Sequence, residues 1–93
     1  MKEYKEAFLA IDAQIDLHRR HPSQIENAIE AFLDKAVCNK KKMVLIVHGI
    51  GKGVLQKKTR AYLEVCPYNI NYYYATIAYG GRGAIVVELI CKH

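Results

Sequence analysis

Met43-Val44-Leu45-Ile46-Val47 runs directly into His48-Gly49-Ile50-Gly51-Lys52-Gly53, and this passage decides how the chain is read. Five apolar residues without alternation describe a strand buried on both faces, central in a sheet. Three glycines at every second position let the backbone turn tightly and come close to a ligand. After the loop, Leu55, Thr59, Tyr62, Leu63 and Cys66 share one face of a helix that stops at Pro67.

Upstream, Gln14-Ile15-Asp16-Leu17-His18 alternates polar and apolar, the period of a half-buried strand that would put Asp16 and His18 on one face. Ser23 and Glu26 have capping-box spacing. Ile25, Ala28, Ile29, Phe32, Leu33, Ala36 and Val37 then form one apolar stripe at helical spacing, closed by Asn39 and Lys40-Lys41-Lys42. Tyr4, Ala7, Phe8 and Ile11 suggest a short leading helix or the tail of a linker. Downstream, Ile70 to Ile77 is rich in aromatic and β-branched residues, Tyr79-Gly80-Gly81-Arg82-Gly83 is a turn, and Ala84 to Cys91 is a last strand. The order is β-α-β-α-β-β. It predicts an α/β two-layer sandwich of about four strands, with two helices on one face and an optional extra N-terminal helix over 1–13 before a domain at 14–93. The two strand-helix-strand crossovers are expected to make parallel neighbours.

Ninety-three residues suit one domain, 52% apolar and 25% charged, which excludes a disordered chain. No apolar run reaches the roughly 20 residues that span a bilayer. The charged N-terminus lacks the apolar core of a secretory signal, so the expected location is cytoplasmic. Cys38, Cys66 and Cys91 are odd in number and without a C-x-x-C pair, which speaks against a disulfide framework or structural zinc and for three small buried hydrophobes. The net charge of +5 is uneven: residues 1–39 hold five Lys or Arg against seven Asp or Glu, and residues 40–93 hold nine against two. A basic half fits a polyanion partner; a lysine coat for solubility is the plainer alternative.

In open α/β sheets ligands bind beyond the carboxyl ends of the strands. Parallel first and second strands would bring Asp16, His18 and His48 to one such rim. The loop opens a helix whose N–H groups and dipole favour an anion, while Lys52, Lys57 and Lys58 oppose that dipole until a phosphate lies between them. The glycine pattern is neither a nucleotide-hydrolysing P-loop nor G-x-G-x-x-G, since Val54 stands at the third glycine's place. A plain strand-to-helix turn remains open. A carboxylate beside an imidazole makes it a better base, so Asp16 and His18 read as an orienting pair, as two metal ligands, or as two solvated polar residues. His21 caps the helix or lies exposed, and His93 has no role. Of Tyr72, Tyr73 and Tyr74, those on the uncovered sheet face could stack on bases. Arg82 could reach a phosphate.

Together these segments resemble the Smr (small MutS-related) domain family. Ile15-Asp16-Leu17-His18 is similar to its L-D-x-H strand end, His48-Gly49-Ile50-Gly51-Lys52-Gly53-Val54-Leu55 to its H-G-x-G-x-G-x-L signature, and Gly80-Gly81-Arg82-Gly83-Ala84 with Val86-Val87-Glu88-Leu89 to its closing strand, over roughly residues 14–91. The resemblance implies a fold similar to the C-terminal domain of the third bacterial translation initiation factor. It also implies nucleic-acid binding and, in several members, nicking or structure-specific endonuclease activity on DNA or RNA, either alone or in MutS paralogues that suppress recombination, with a link to DNA repair. By matching motif, Asp16 and His18 carry over as catalytic residues, and His48, Gly49, Gly51 and Lys52 as phosphate-site residues. Two departures stand out. Arg19 replaces a glycine that often follows L-D-x-H, and it either adds a phosphate contact or crowds the site; Ile85 replaces the usual Thr.

The expected function is phosphodiester cleavage by an endonuclease, with a non-catalytic nucleic-acid-binding or protein-interaction module as the alternative. Asp16, His18 and His48 are the candidate catalytic residues: either histidine would activate water, and Asp16 would orient His18 or hold a divalent metal, Mg or Mn. Arg19, Gly49, Gly51, Lys52, Gly53, Lys57, Arg60 and Arg82 are the candidate phosphate-binding residues. The expected partner is DNA or RNA and not a membrane, with a larger parent protein or a homodimer both open.

Overall fold

Helix and strand periods compete little in this chain, and a computed structural model shows the described apolar segments in the elements their spacing favours. The structure describes residues 2–3, 11–18, 20–51, 53–75 and 81–90. The elements are β1 (Lys2–Glu3), β2 (Ala13–Asp16), a 3-10 turn (Pro22–Gln24), α1 (Ile25–Cys38), β3 (Met43–Val47), α2 (Val54–Val65), β4 (Ile70–Tyr74), a second 3-10 turn (Gly81–Gly83) and β5 (Ala84–Leu89). The proposed N-terminal helix falls mostly on residues outside the described ones, as do residues 76–77 and Cys91 of the expected strands.

The sheet order is β1-β4-β5-β3-β2. Strand β2 pairs in parallel with β3, Asp16 opposite Val47. The second crossover departs from expectation. Strand β4 does run parallel to β3, but β5 lies between them, antiparallel to both. The apolar run Ala84 to Val87 of β5, buried on both faces, takes the central position that β4, with three tyrosines, would fill less well.

Leu17, Val44, Ile46, Ile85, Val87 and Leu89 form the sheet side of the main core, against Ile25, Ile29, Leu33 and Ala36 of α1 and Leu63 of α2. Leu45, Val86, Ala84 and Ala75 make a smaller buried cluster on the other face. This explains why β3 and β5 lack alternation. Tyr72 turns towards the helices and donates to Glu64; burial first and that hydrogen bond second push its hydroxyl pKa up to about 12. Tyr73 stands opposite Val86, and its hydroxyl donates to Glu88 Oε1 at 3.4 Å.

Three local expectations are corrected. The Ser23–Glu26 capping box does not form. Pro22 starts a 3-10 turn, His21 caps it by accepting from Ser23 N–H at 3.1 Å, and α1 begins at Ile25 after Gln24, which makes no side-chain cap bond. At the other end Lys40 adopts φ 57, and the Lys41 and Lys40 N–H groups close on Ala36 and Val37 carbonyls at 2.9 and 3.0 Å, a Schellman ending. The cysteines are not all buried: Cys38 is exposed and Cys66 intermediate. The buried α1 stripe ends at Ala36, and Val37 beside Cys38 is 42% exposed.

Asp12 joins the starts of β2 and β3. Its Oδ2 accepts from Lys42 N–H at 2.8 Å and Met43 N–H at 3.1 Å. The Lys42 bond and then the Met43 bond hold its carboxyl below the usual 3.8. A depressed carboxylate stabilises the fold above its unfolded pKa and loses that contribution as pH falls through the folded value. Asp12→Ala is therefore expected to lower the melting temperature at pH 7, with the deficit shrinking as pH drops below 3.8, measured by thermal unfolding across pH.

Candidate active site at the strand-end rim

The carboxyl ends of β2, β3 and β4 and the start of β5 meet at one edge of the sheet. There the chain leaves β2 after Asp16. The Asp16 Oδ1 accepts from the backbone N–H of His18 at 3.0 Å, an Asx turn, and also pairs with His18 Nδ1. Asp16 and His18 are thus joined by a turn and not by sharing a strand face as the alternation suggested. Leu17 between them is fully buried and donates to Val47 carbonyl at 2.6 Å, which fixes the turn to β3. The two side chains are about half exposed, 52% for Asp16 and 46% for His18. With Nδ1 donating to the carboxylate, the neutral ring carries its lone pair on Nε2.

His48 lies differently. Its ring is 2% exposed, Nδ1 donates to Gly49 carbonyl at 2.7 Å, and Nε2 is buried without a hydrogen-bond partner among the described residues. Burial pushes its pKa below 6.5 despite the Gly49 bond, so the ring is neutral at pH 7. It sits beneath the rim, away from solvent.

Two loops close over it. The Gly83 carbonyl accepts from His48 N–H at 2.8 Å and from Gly49 N–H at 2.9 Å. Gly49 has φ +80, and a Cβ there would stand 3.1 Å from His18 Cβ. Gly49 is therefore glycine for two reasons, a left-handed backbone and the close approach of His18. Gly53, with φ 83, starts α2 without a side-chain cap, and the first turn of α2 holds no acidic residue. Its amide groups favour an anion there.

Of the candidate phosphate-binding residues, Gly49, Gly51, Gly53 and Lys57 lie in the loop and first turn of α2, with Lys57 exposed. Arg60 is exposed farther along, about 10 Å past Gly53 at 1.5 Å per residue, near enough to Tyr72 to act on its hydroxyl. Arg19 and Lys52 lie outside the described residues, and of Arg82 only the backbone is described. Lys40, Lys41 and Lys42 sit at the opposite edge, where β3 begins, so the basic half of the sequence is split between two ends of the molecule. The sequence reading missed Gly83, whose carbonyl holds the two loops, and Arg20, exposed two residues past His18. The glycine-rich turn before β5 was the signal for the first. Among the described residues no group of three His, Cys, Asp or Glu could hold a metal ion.

A profile of the Smr domain matches residues 15–90. The chain belongs to the Smr domain family. Endonuclease MutS2 of Streptococcus thermophilus (strain ATCC BAA-491 / LMD-9) is 32% identical over 77 residues, covering 83% of this chain and 10% of that protein. Endonuclease MutS2 of Streptococcus pneumoniae (strain Hungary19A-6) is 33% identical over 75 residues, covering 81% and 10%. The chain thus spans about a tenth of the length of these relatives. The crystal structure of the Smr domain of Thermus thermophilus MutS2 superposes with a TM-score of 0.77 at 22% identity, covering 85% of this chain and 99% of that one. YdaL, a stand-alone small MutS-related protein from Escherichia coli, does so at 0.76 and 23% identity, covering 82% and 63%. These likenesses confirm the α/β fold of this Smr domain.

Two outcomes check the rim. Gly53→Ala meets no atom within 4 Å and should cost roughly 1–2 kcal/mol for its left-handed backbone alone. Gly49→Ala should cost more, because His18 must move as well; equal losses by chemical denaturation would remove the Gly49–His18 contact from the account. A buried neutral histidine stabilises fully above 6.5 and loses that contribution as pH falls towards its folded pKa. The stability gap between the native chain and His48→Gln should therefore narrow between pH 7 and pH 5.

Proposed function

We propose that this Smr domain binds a nucleic-acid backbone along the rim and cleaves a phosphodiester there, with His18 as general base. The observation that carries the reading is the Asp16–His18 pair, half exposed and packed against the glycine loop that opens α2. A backbone phosphate seated at the α2 N-terminus receives amide N–H groups and the charge of Lys57, and the dipole that Lys57 otherwise opposes then favours the complex. His18 Nε2 takes the proton from the attacking oxygen, from water or from a strand hydroxyl. Asp16 holds the ring by Nδ1 and stabilises the imidazolium that forms. His48 is assigned a positioning role: its buried ring holds the Gly49 carbonyl, and Gly49 backs onto His18. The relatives named as endonucleases support this reading.

The test is incubation of the purified chain with supercoiled plasmid and with structured RNA, in magnesium, manganese or chelator. Asp16→Asn and His18→Ala are expected to lower cleavage by about 10²-fold or more, with binding by fluorescence anisotropy changed less than about twofold. Loss of binding in step with cleavage would remove the catalytic assignment. Steep salt-dependent binding without cleavage in any condition would leave the non-catalytic binding module in its place.

A further inference from the structure

We propose that Ile50 is a wedge that seats between unstacked bases, so that the rim selects strands already opened at a bulge or junction; this rests on the nucleic-acid reading above. Ile50 is 67% exposed at the tip of the loop, and Val54 at the start of α2 is 48% exposed. Two exposed aliphatic residues bracket a turn otherwise built for an anion. Phosphates bond to amide groups and lysines and gain nothing from an aliphatic side chain. The face of a base does.

The loop presents Ile50 in a set direction. Gly49 and Gly51 on either side have φ +80 and +37, and the residue between them is 67% exposed. The Ile50 Cγ1 stands 3.6 Å from the point a Cβ on Gly83 would occupy, so the side chain is backed by the β5 turn and its tip remains in solvent. A β-branched residue has few χ1 states to lose on contact. The neighbouring Gly49 abuts His18, which places the wedge beside the Asp16–His18 pair. Apolar side chains inserted at a base step hold it unstacked, at an unstacking cost that is least where the step is already broken.

The experiment uses duplexes, in DNA and in RNA versions, that carry 2-aminopurine either as a single-nucleotide bulge or fully paired. Affinity is read by anisotropy and unstacking by 2-aminopurine fluorescence. The unmodified chain is expected to prefer the bulged duplex and to raise its fluorescence. Ile50→Ala should weaken the bulged duplex about tenfold, the scale of one base-stacking contact, abolish the fluorescence rise, and leave the paired duplex within about twofold. Ile50→Phe should retain the preference, and the melting temperature of both variants should match the parent, since Ile50 is exposed. An unchanged bulge preference in Ile50→Ala overturns the wedge. So does equal binding of both duplexes by the unmodified chain, which leaves the nucleic-acid reading standing. Failure to bind either duplex at low salt takes down that reading and the wedge together.

Discussion

The carbonyl of Gly83, accepting from both His48 and Gly49 N–H groups, is the contact on which the rim depends. It continues the β3–β5 ladder by one step past Val47 and Ala84, and so converts a strand end into a loop anchor. Strand β5 lies between β3 and β4, antiparallel to both. The start of β5 therefore lies where β2 and β3 finish. Were β4 the neighbour of β3, as two successive crossovers suggest, no chain would enter the sheet at this point and the loop after β3 would have no carbonyl to close on.

This arrangement separates two histidines that look alike in sequence. His18 lies past a buried Leu17 in a turn held by Asp16, with its ring half in water. His48 follows β3 directly and keeps the burial of that central strand. One is half exposed and paired with a carboxylate; the other is buried, with Nδ1 on the Gly49 carbonyl. The glycine that permits the loop's left-handed backbone also lets His18 approach. Ile50, 67% exposed, lies in the loop that leads from β3 to α2.

The family match and the two solved folds agree with the topology, and the differences from the family pattern have separate meanings. Ile85 is fully buried in the core between sheet and helices, where an aliphatic side chain gains contact and a hydroxyl would need a partner. It bears on packing more than on chemistry. The split of the lysines, with Lys40 to Lys42 at the far edge and Lys57 near the glycine loop, means that net charge alone overstates the cationic character of the rim.

The two helices, the strands β2 to β5 and the rim were legible in the sequence because each rests on a local period: the stripe from Ile25 to Ala36, the unbroken run Met43 to Val47, and glycines where the backbone must turn. Parallel β2 and β3 followed from one crossover, and with them the meeting of Asp16, His18 and His48 at one edge. The sequence left open whether His21 caps or lies exposed, and it could not show that Cys38 would stay exposed or that β5 would come between β3 and β4. Those outcomes turn on which of several apolar strands buries best in the centre and on what remains to cover a helix end. Such comparisons exist only between segments distant in the chain. Residue identity therefore determined which groups are available for acid–base and anion chemistry. Tertiary packing alone decided that His18 faces solvent and His48 does not, because burial belongs to the assembled sheet and to no single stretch of it.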